Sequence, residues 1–190
     1  TFIDGKRVGG NDDLQVFLGN HEPETDNNNT YAPIIAIFAV TALMTLALCW
    51  AFAVSVLSMQ ALIWFVALSM CVLAIKKLED LEGFTTGFLG YDLLARRVVR
   101  YAYVYPFLEA FAGIAMLADQ PWLNPIAGLV AFVIGLIGGI SVIKAVYIDK
   151  RELKCACVGG DSNVPLGAIS LTENVMMFGM GGYMLIRALL

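Results

Sequence analysis

Charge is scarce in this 190-residue chain. Asp, Glu, Lys and Arg make up 15% of it, while 59% is hydrophobic. A soluble domain carries about a quarter charged residues and about half apolar ones, so a soluble globular fold is not expected, and disorder still less. Histidine is nearly missing: His21 is the single imidazole, which excludes a zinc enzyme built on several histidines. No metal site is assigned. The net charge is -4 and no basic stripe is present, which argues against a nucleic-acid partner. The four cysteines are Cys49, Cys71, Cys155 and Cys157. Two lie in apolar runs and two form a C-x-C pair, which is not the framework of a disulfide-stapled secreted domain. The first residues contain no apolar h-region, so they are not a signal peptide. Opening at Thr1 rather than Met is expected of a fragment or a processed product. With a mean hydropathy of +0.75, what remains is an all-α integral membrane protein with short polar connections.

Residues 1–19 are polar and mixed. Thr1-Phe2-Ile3 is strand-like and Asp4-Gly5-Lys6 is a hairpin turn signal. Asp12 and Asp13 open a short apolar-periodic stretch, Leu14 to Leu18, expected as a brief helix. Nineteen residues are too few to bury a core alone. Residues 20–30 are an acidic linker without periodicity. Five apolar segments follow, at about 31–54, 59–75, 101–118, 124–147 and 170–190. Each approaches the roughly 20 helical residues that a bilayer core needs. Asn124-Pro125 reads as an N-cap and first-turn pair. Lys76–Arg100 is amphipathic and reads as a loop with an interfacial helix, Tyr91 and Tyr101 lying near the headgroups.

With five spans and an interior N-terminus, eleven of the twelve basic residues fall on one side and only Arg187 on the other. The positive-inside rule assigns the crowded side to the cytoplasm, together with the N-terminus and the C-x-C loop. The expected location is a bacterial inner (plasma) membrane.

Cys155-Ala156-Cys157 is flanked by Lys150, Arg151 and Lys154 and followed by Gly159-Gly160. Two sulfurs one residue apart can close a small, exchangeable disulfide ring, and nearby cations favour the attacking thiolate. A two-thiolate site for a soft ion such as Cu(I) is a second reading, and two incidental loop cysteines a third. Cys71 lies roughly 8 Å below the cytoplasmic end of its helix and could resolve the C-x-C pair if that loop folds inward. Cys49 lies near the outer end of its own helix. Small buried hydrophobes are the plain reading for both. Glu109 is the one acid near mid-span, where an ionisable group costs about 3 kcal/mol or more unless paired or protonated. It is either a proton-linked or substrate-polarising carboxyl, or a structural acid bonded to a hydroxyl, an amide or Lys144. Ser170-Leu171-Thr172-Glu173 reads as a capping box. Gly135 and Gly139, with Gly179, Gly181 and Gly182, read as close-packing positions on the last two helices. Met176, Met177, Met180 and Met184 read as lipid-facing or packing residues rather than a soft-metal stripe. Pro106 is expected to kink its helix.

The segment Phe2-Ile3-Asp4-Gly5-Lys6-Arg7-Val8-Gly9-Gly10-Asn11-Asp12-Asp13-Leu14 resembles the C-terminal end of a glutaredoxin, a thioredoxin-fold family. The resemblance implies that Gly10, Asn11, Asp12 and Asp13 contact glutathione, consistent with carboxylate capture at a helix N-terminus. The family's C-x-x-C or C-x-x-S site and its cis-proline are absent from this chain, so an upstream part is expected to carry them.

Residues of about 59–190 resemble the MauE branch of the DoxX-like superfamily. The likeness rests on Lys77-Leu78-Glu79-Asp80, Phe84, Phe88, Tyr91-Asp92-Leu93-Leu94, Tyr101 to Glu109, Gly113, Glu152 to Cys157, Pro165 and Glu173-Asn174. It implies a four-helix membrane bundle with redox-associated chemistry, preceded here by one extra helix that tethers the glutaredoxin-like part. The combined expectation is electron or thiol–disulfide exchange between a cytoplasmic glutaredoxin-like domain and Cys155/Cys157, with Cys71 as resolving thiol and Glu109 as proton site. Glutathione or a thiol protein would be the partner, beside the lipid bilayer and possible further subunits of a membrane complex. A non-catalytic accessory subunit of such a complex, or a soft-metal or thiol carrier, are the alternatives.

Overall fold

The computed structural model describes residues 2–3, 6–7, 18, 31–151, 153, 155–156 and 164–189. The chain divides into two compact units, Thr1–Thr30 and Tyr31–Leu190. In the first, β1 (Phe2–Ile3) pairs antiparallel with β2 (Lys6–Arg7), Phe2 opposite Arg7 and Ile3 opposite Lys6. This is the register expected for a two-residue Asp-Gly connection. The brief helix expected at Leu14 to Leu18, apart from Leu18 itself, and the linker at 20–30 lie outside the described residues. So do Gly10, Asn11, Asp12 and Asp13.

The second unit is helical. Helix α1 (Ala32–Ala51) begins with Pro33 in its first turn, where the missing N–H costs nothing. Helix α2 (Met59–Glu79) starts at Ser58, whose Oγ accepts from the Ala61 N–H at 3.2 Å. Helix α3 (Leu81–Leu89) starts at Asp80, whose carboxylate accepts from the Gly83 N–H at 2.9 Å. Helix α4 (Val99–Ala118) ends where Asp119 turns left-handed. Helix α5 (Asn124–Val142) runs on into a π turn, Ile143–Ile148, and α6 spans Ala168–Leu189. Asn124 does not cap α5. It is already helical, and its amide donates to Asp119 at 2.8 Å, tying the α4–α5 turn together.

Among the described residues, four helical stretches, Ala32–Ala51, Met59–Glu79, Val99–Ala118 and Asn124–Ile148, are long and apolar enough to cross a membrane. Helix α6 has the length, at 22 residues, but Ser170, Thr172, Glu173, Asn174 and Arg187 dilute its apolarity. It packs along α5, and the approach is close. A methyl group added at Gly181 would stand 2.5 Å from the Phe132 nitrogen, and one at Gly135 would stand 2.7 Å from the Phe178 nitrogen. Backbone touching backbone is how apolar helices associate in lipid, where burial alone supplies no drive. Gly139 and Gly182 make only ordinary 3.7 Å approaches, to the Asn174 Cβ and the Phe132 ring, and Gly179 meets nothing within 4 Å. Met177, Met180 and Met184 are buried in this interface and Met176 is half-buried.

Of the loop with an interfacial helix expected from Lys76 to Arg100, the short helix is present as α3 and residues 90–98 are non-helical, but the start of the segment and its burial differ. Helix α2 continues through Lys76 and Lys77 to Glu79, and α3 buries Phe84, Thr85 and Phe88. Tyr91 is buried rather than at a headgroup surface, and Tyr101 is half-buried. The reason is aromatic packing. Phe84, Phe88, Tyr91, Tyr101 and Tyr105 form one ring cluster, with Phe88 4.8 Å from Tyr105 and 5.5 Å edge-on from Tyr91. Such geometry adds to burial. Asp92 locks the segment down. It accepts from the Leu94 and Ala95 N–H groups at 2.9 and 2.7 Å and from the Ser141 hydroxyl of α5 at 3.0 Å.

Helix α1 packs mainly against α2. The Ser69 hydroxyl lies 3.1 Å from that of Thr41, and the Phe38 and Phe65 rings are 6.2 Å apart. Its other sides expose Ile35, Val40, Leu43, Met44 and Leu46.

Candidate functional site

The buried stripe of α2 runs Val66, Met70, Leu73, Ala74 and then Lys77. That of α4 runs Ala102, Tyr105, Glu109, Ala112 and Met116. That of α6 runs Ser170, Glu173, Asn174, Met177 and Met180. Each is an ordinary three-to-four-residue helical repeat with a charge in a core position. The three charges meet. Lys77 Nζ lies 2.6 Å from Glu109 Oε2 and 2.6 Å from Glu173 Oε1. Lys77, Glu109 and Glu173 are 2%, 0% and 6% exposed. Burying ions is costly unless they are paired and hydrogen-bonded, and here one ammonium serves two carboxylates. Glu109 Oε1 has no hydrogen-bond partner among the described residues.

Tyrosines enclose the triad. Lys77 Nζ stands 5.4 Å from the centre of the Tyr105 ring, within cation–π range. Tyr91, between α3 and α4, has its phenol pushed well above the usual range by burial, with the Glu173, Asp92 and Glu109 carboxylates adding to the shift. It stays protonated. Burial also raises the Asp92 carboxyl, against the hydrogen bonds from Ala95, Ser141 and Leu94 that favour its ionised form.

The C-x-C segment folds against this end of the bundle. Cys155 donates its N–H to the Val164 carbonyl at 2.7 Å, and Leu166 donates to Leu153 at 2.7 Å. Ala156 is buried over Gly87, where an added methyl would come to 3.3 Å from the Ala156 Cβ. Arg151 donates to the Gly90 carbonyl at 2.8 Å. That guanidinium, expected to promote a thiolate, is spent on fastening the loop to α3. Cys155 is 2% exposed and disulfide-bonded. Its Sγ lies 3.0 Å from the Ser170 hydroxyl. A disulfide sulfur carries no proton, so the hydroxyl is the donor. Cys157 lies outside the described residues.

Cys71 and Cys49 are free thiols. Cys155 and Ala156 are buried, and Cys71 packs against α4. Gly113 of α4 leaves the room it fills: a methyl there would be 2.8 Å from the Cys71 sulfur. Gly113 is one turn from Glu109, and Cys155 touches Ser170, one turn from Glu173. Each sulfur thus packs against a residue one helical turn from a triad carboxylate. Lys144 is exposed and is not the partner of Glu109. Glu173 is not a capping residue, because α6 begins at Ala168, ahead of Ser170. Lys77 was the residue that sequence reading placed wrongly, counted as a loop cation because the apolar run stops at Ile75. The repeat Leu73, Ala74, Lys77 was the signal that it stays on the buried face.

The family model for methylamine utilisation protein MauE matches residues 55–187. The chain belongs to the MauE family. Neither a curated protein nor a solved structure matches it significantly. The match begins after α1, so the MauE domain comprises α2 to α6, and α1 with everything before it lies outside. With its four apolar spans this MauE-family chain is a multi-pass membrane protein. Lys77, Glu109, Glu173 and Cys155 all belong to the MauE-matched part.

Proposed function

We propose that this MauE-family protein is a membrane thiol–disulfide redox protein of the bacterial inner membrane, with the C-x-C pair Cys155/Cys157 cycling between disulfide and dithiol. The observation that carries this reading is the disulfide on Cys155, seated with a hydroxyl donor aimed at its sulfur. The electron donor is a thiol compound: glutathione, or a thiol protein such as the glutaredoxin that the N-terminal residues resemble. Gly10, Asn11, Asp12 and Asp13 are the glutathione-contacting positions of that reading. Placing the C-x-C loop on the cytoplasmic face puts the pair in the donor's compartment. In the exchange a donor thiolate attacks one sulfur of the disulfide, the S–S bond breaks, and the other sulfur leaves as a thiolate. A second donor thiol then releases the mixed disulfide. The donor ends as a disulfide and the pair as two thiols.

Mass-spectrometric trapping of Cys155 and Cys157 in membranes poised at stepped glutathione potentials tests this. Two masses that interconvert are expected; a pair locked in one state at every potential sinks it. The 2% exposure of Cys155 favours a second reading, in which the disulfide is structural and the chain is an accessory subunit of a larger redox complex. That reading expects the locked state, and unchanged function in Cys157→Ser.

A further inference from the structure

Disulfide exchange at Cys155 leaves a chemical difficulty, and the following inference rests on the exchange just proposed. When the sulfur bonded to Cys155 is attacked, Cys155 Sγ leaves with the electron pair of the broken bond. A thiolate 2% exposed, beside a residue one helical turn from the Glu173 carboxylate, is poorly solvated. It needs a proton from a group already in place. Among the described residues, the Ser170 hydroxyl offers a proton, its oxygen 3.0 Å from the sulfur. Ser170 and Glu173 are three residues apart on α6, so their Cβ atoms are about 5–6 Å apart on one face. Glu173 is bonded to Lys77, and Lys77 to Glu109. With both carboxylates ionised the triad carries a net charge of -1 on side chains that are 2%, 0% and 6% exposed. One proton on the carboxylate pair brings it to zero. Glu109 Oε1, wholly buried and unpartnered among the described residues, is an oxygen with capacity to spare.

We propose that Lys77, Glu109 and Glu173 form the proton reservoir of the disulfide reaction. The carboxylate pair holds one proton. As the S–S bond breaks, Ser170 Oγ passes its proton to Cys155 Sγ and is refilled from Glu173. When the disulfide re-forms, the proton returns by the same route. The protons lost by the two donor thiols go to solvent, and the pair regains two, one of them through the reservoir. The other titratable groups near the triad are Cys71 from α2, Tyr101 and Tyr105 from α4, and Tyr91 and Asp92 from the segment between α3 and α4. The tyrosines are neutral neighbours. Asp92 is closed by its bonds to Leu94, Ala95 and Ser141. Cys71 packs against Gly113 of α4. Ser141 of α5 faces Asp92 rather than the triad.

The test uses the full chain in lipid nanodiscs, reduced with dithiothreitol across a pH series. New thiols are counted by maleimide mass shift. The wild-type rate is expected to be bell-shaped: it rises as dithiothreitol ionises and falls as the reservoir empties. Glu173→Gln and Glu109→Gln are expected to lose the falling limb and to slow by about tenfold or more near neutrality. Ser170→Ala, which leaves the ion triad intact, is expected to do the same, and Ser170→Thr to restore the bell. Ser170→Ala thus decides the question even where a Gln variant does not fold. Wild-type rates and profiles in Ser170→Ala overturn the reservoir while exchange stands. A wild-type disulfide that dithiothreitol never reduces overturns the exchange and the reservoir together.

Discussion

Helix α6 turns two very different surfaces to its neighbours. Along α5, Gly181, Gly135 and Gly128 bring backbone to backbone, and the contact contains no charge. Towards α2 and α4 the same helix offers Glu173 to a lysine and a second glutamate. The first surface suits a membrane, where tight van der Waals contact is the available attraction. The second is a poor means of holding helices together, since desolvating three ions offsets most of their mutual attraction. A buried triad in a MauE bundle that already has an apolar way of packing is therefore better explained by chemistry than by stability. Its neighbours agree, a disulfide and a thiol each packing against a residue one helical turn from a triad carboxylate.

That contrast is open to being broken, most severely at the glycines. Gly181→Leu should abolish folding, a loss of about 4 kcal/mol or more, because its side chain would meet the backbone of Phe132 and not a movable side chain. Gly179→Leu, which meets nothing within 4 Å, should stay within about 0.5 kcal/mol. Thermal unfolding in detergent, read by size-exclusion peak height, compares the two; equal losses would show that the glycine contact is not what joins α5 to α6. Lys77→Met should cost about 3–5 kcal/mol by leaving two buried carboxylates without their cation. Adding Glu109→Leu and Glu173→Leu should recover most of that stability while reduction of the Cys155 disulfide loses the falling limb of its pH profile. A triple variant as unstable as the single one would make the triad a structural device.

Smaller effects sharpen the picture at its edges. Ser69→Ala, which removes the hydroxyl contact between α1 and α2, should cost about 0.5–1.5 kcal/mol, measurable by the same unfolding assay. Asp92→Asn should cost less than about 1 kcal/mol, because an amide can still accept from Leu94 and Ala95 and donate to Ser141. It should also change the pH dependence. Burial raises the Asp92 carboxyl above its unfolded value, so ionising it disfavours the folded state. Stability is then fullest below the ordinary carboxylate range and declines as pH rises through the raised value. Asp92→Asn should flatten that decline in unfolding temperature above about pH 4.

How much was legible beforehand differs by residue. The spans were legible, since runs near 20 apolar residues permit little else, and so was the Asp4-Gly5 hairpin. Glu109 stood out because an acid at mid-span demands a partner. Which partner it had was not legible. Sequence offers a hydroxyl, an amide or Lys144, and reads Lys77 as a loop cation; the actual choice depends on how α2, α4 and α6 rotate about their axes. Tyr91 looked interfacial because tyrosines often are, yet the ring cluster with Phe88 and Tyr105 draws it inside. Glu173 fitted a capping box so well that its place on the buried stripe of α6 was overlooked.

Hydropathy and length alone required a helical membrane protein, and the order of residues from Lys77 to Asn174 pointed to its family, because both depend on composition and local pattern. Tertiary packing chose the pairs: Lys77 between Glu109 and Glu173, Ser170 under Cys155, Cys71 against Gly113. Such contacts join positions 32 and 96 residues apart. Their geometry follows from helix rotation and close glycine contact, quantities that no single segment of the chain contains.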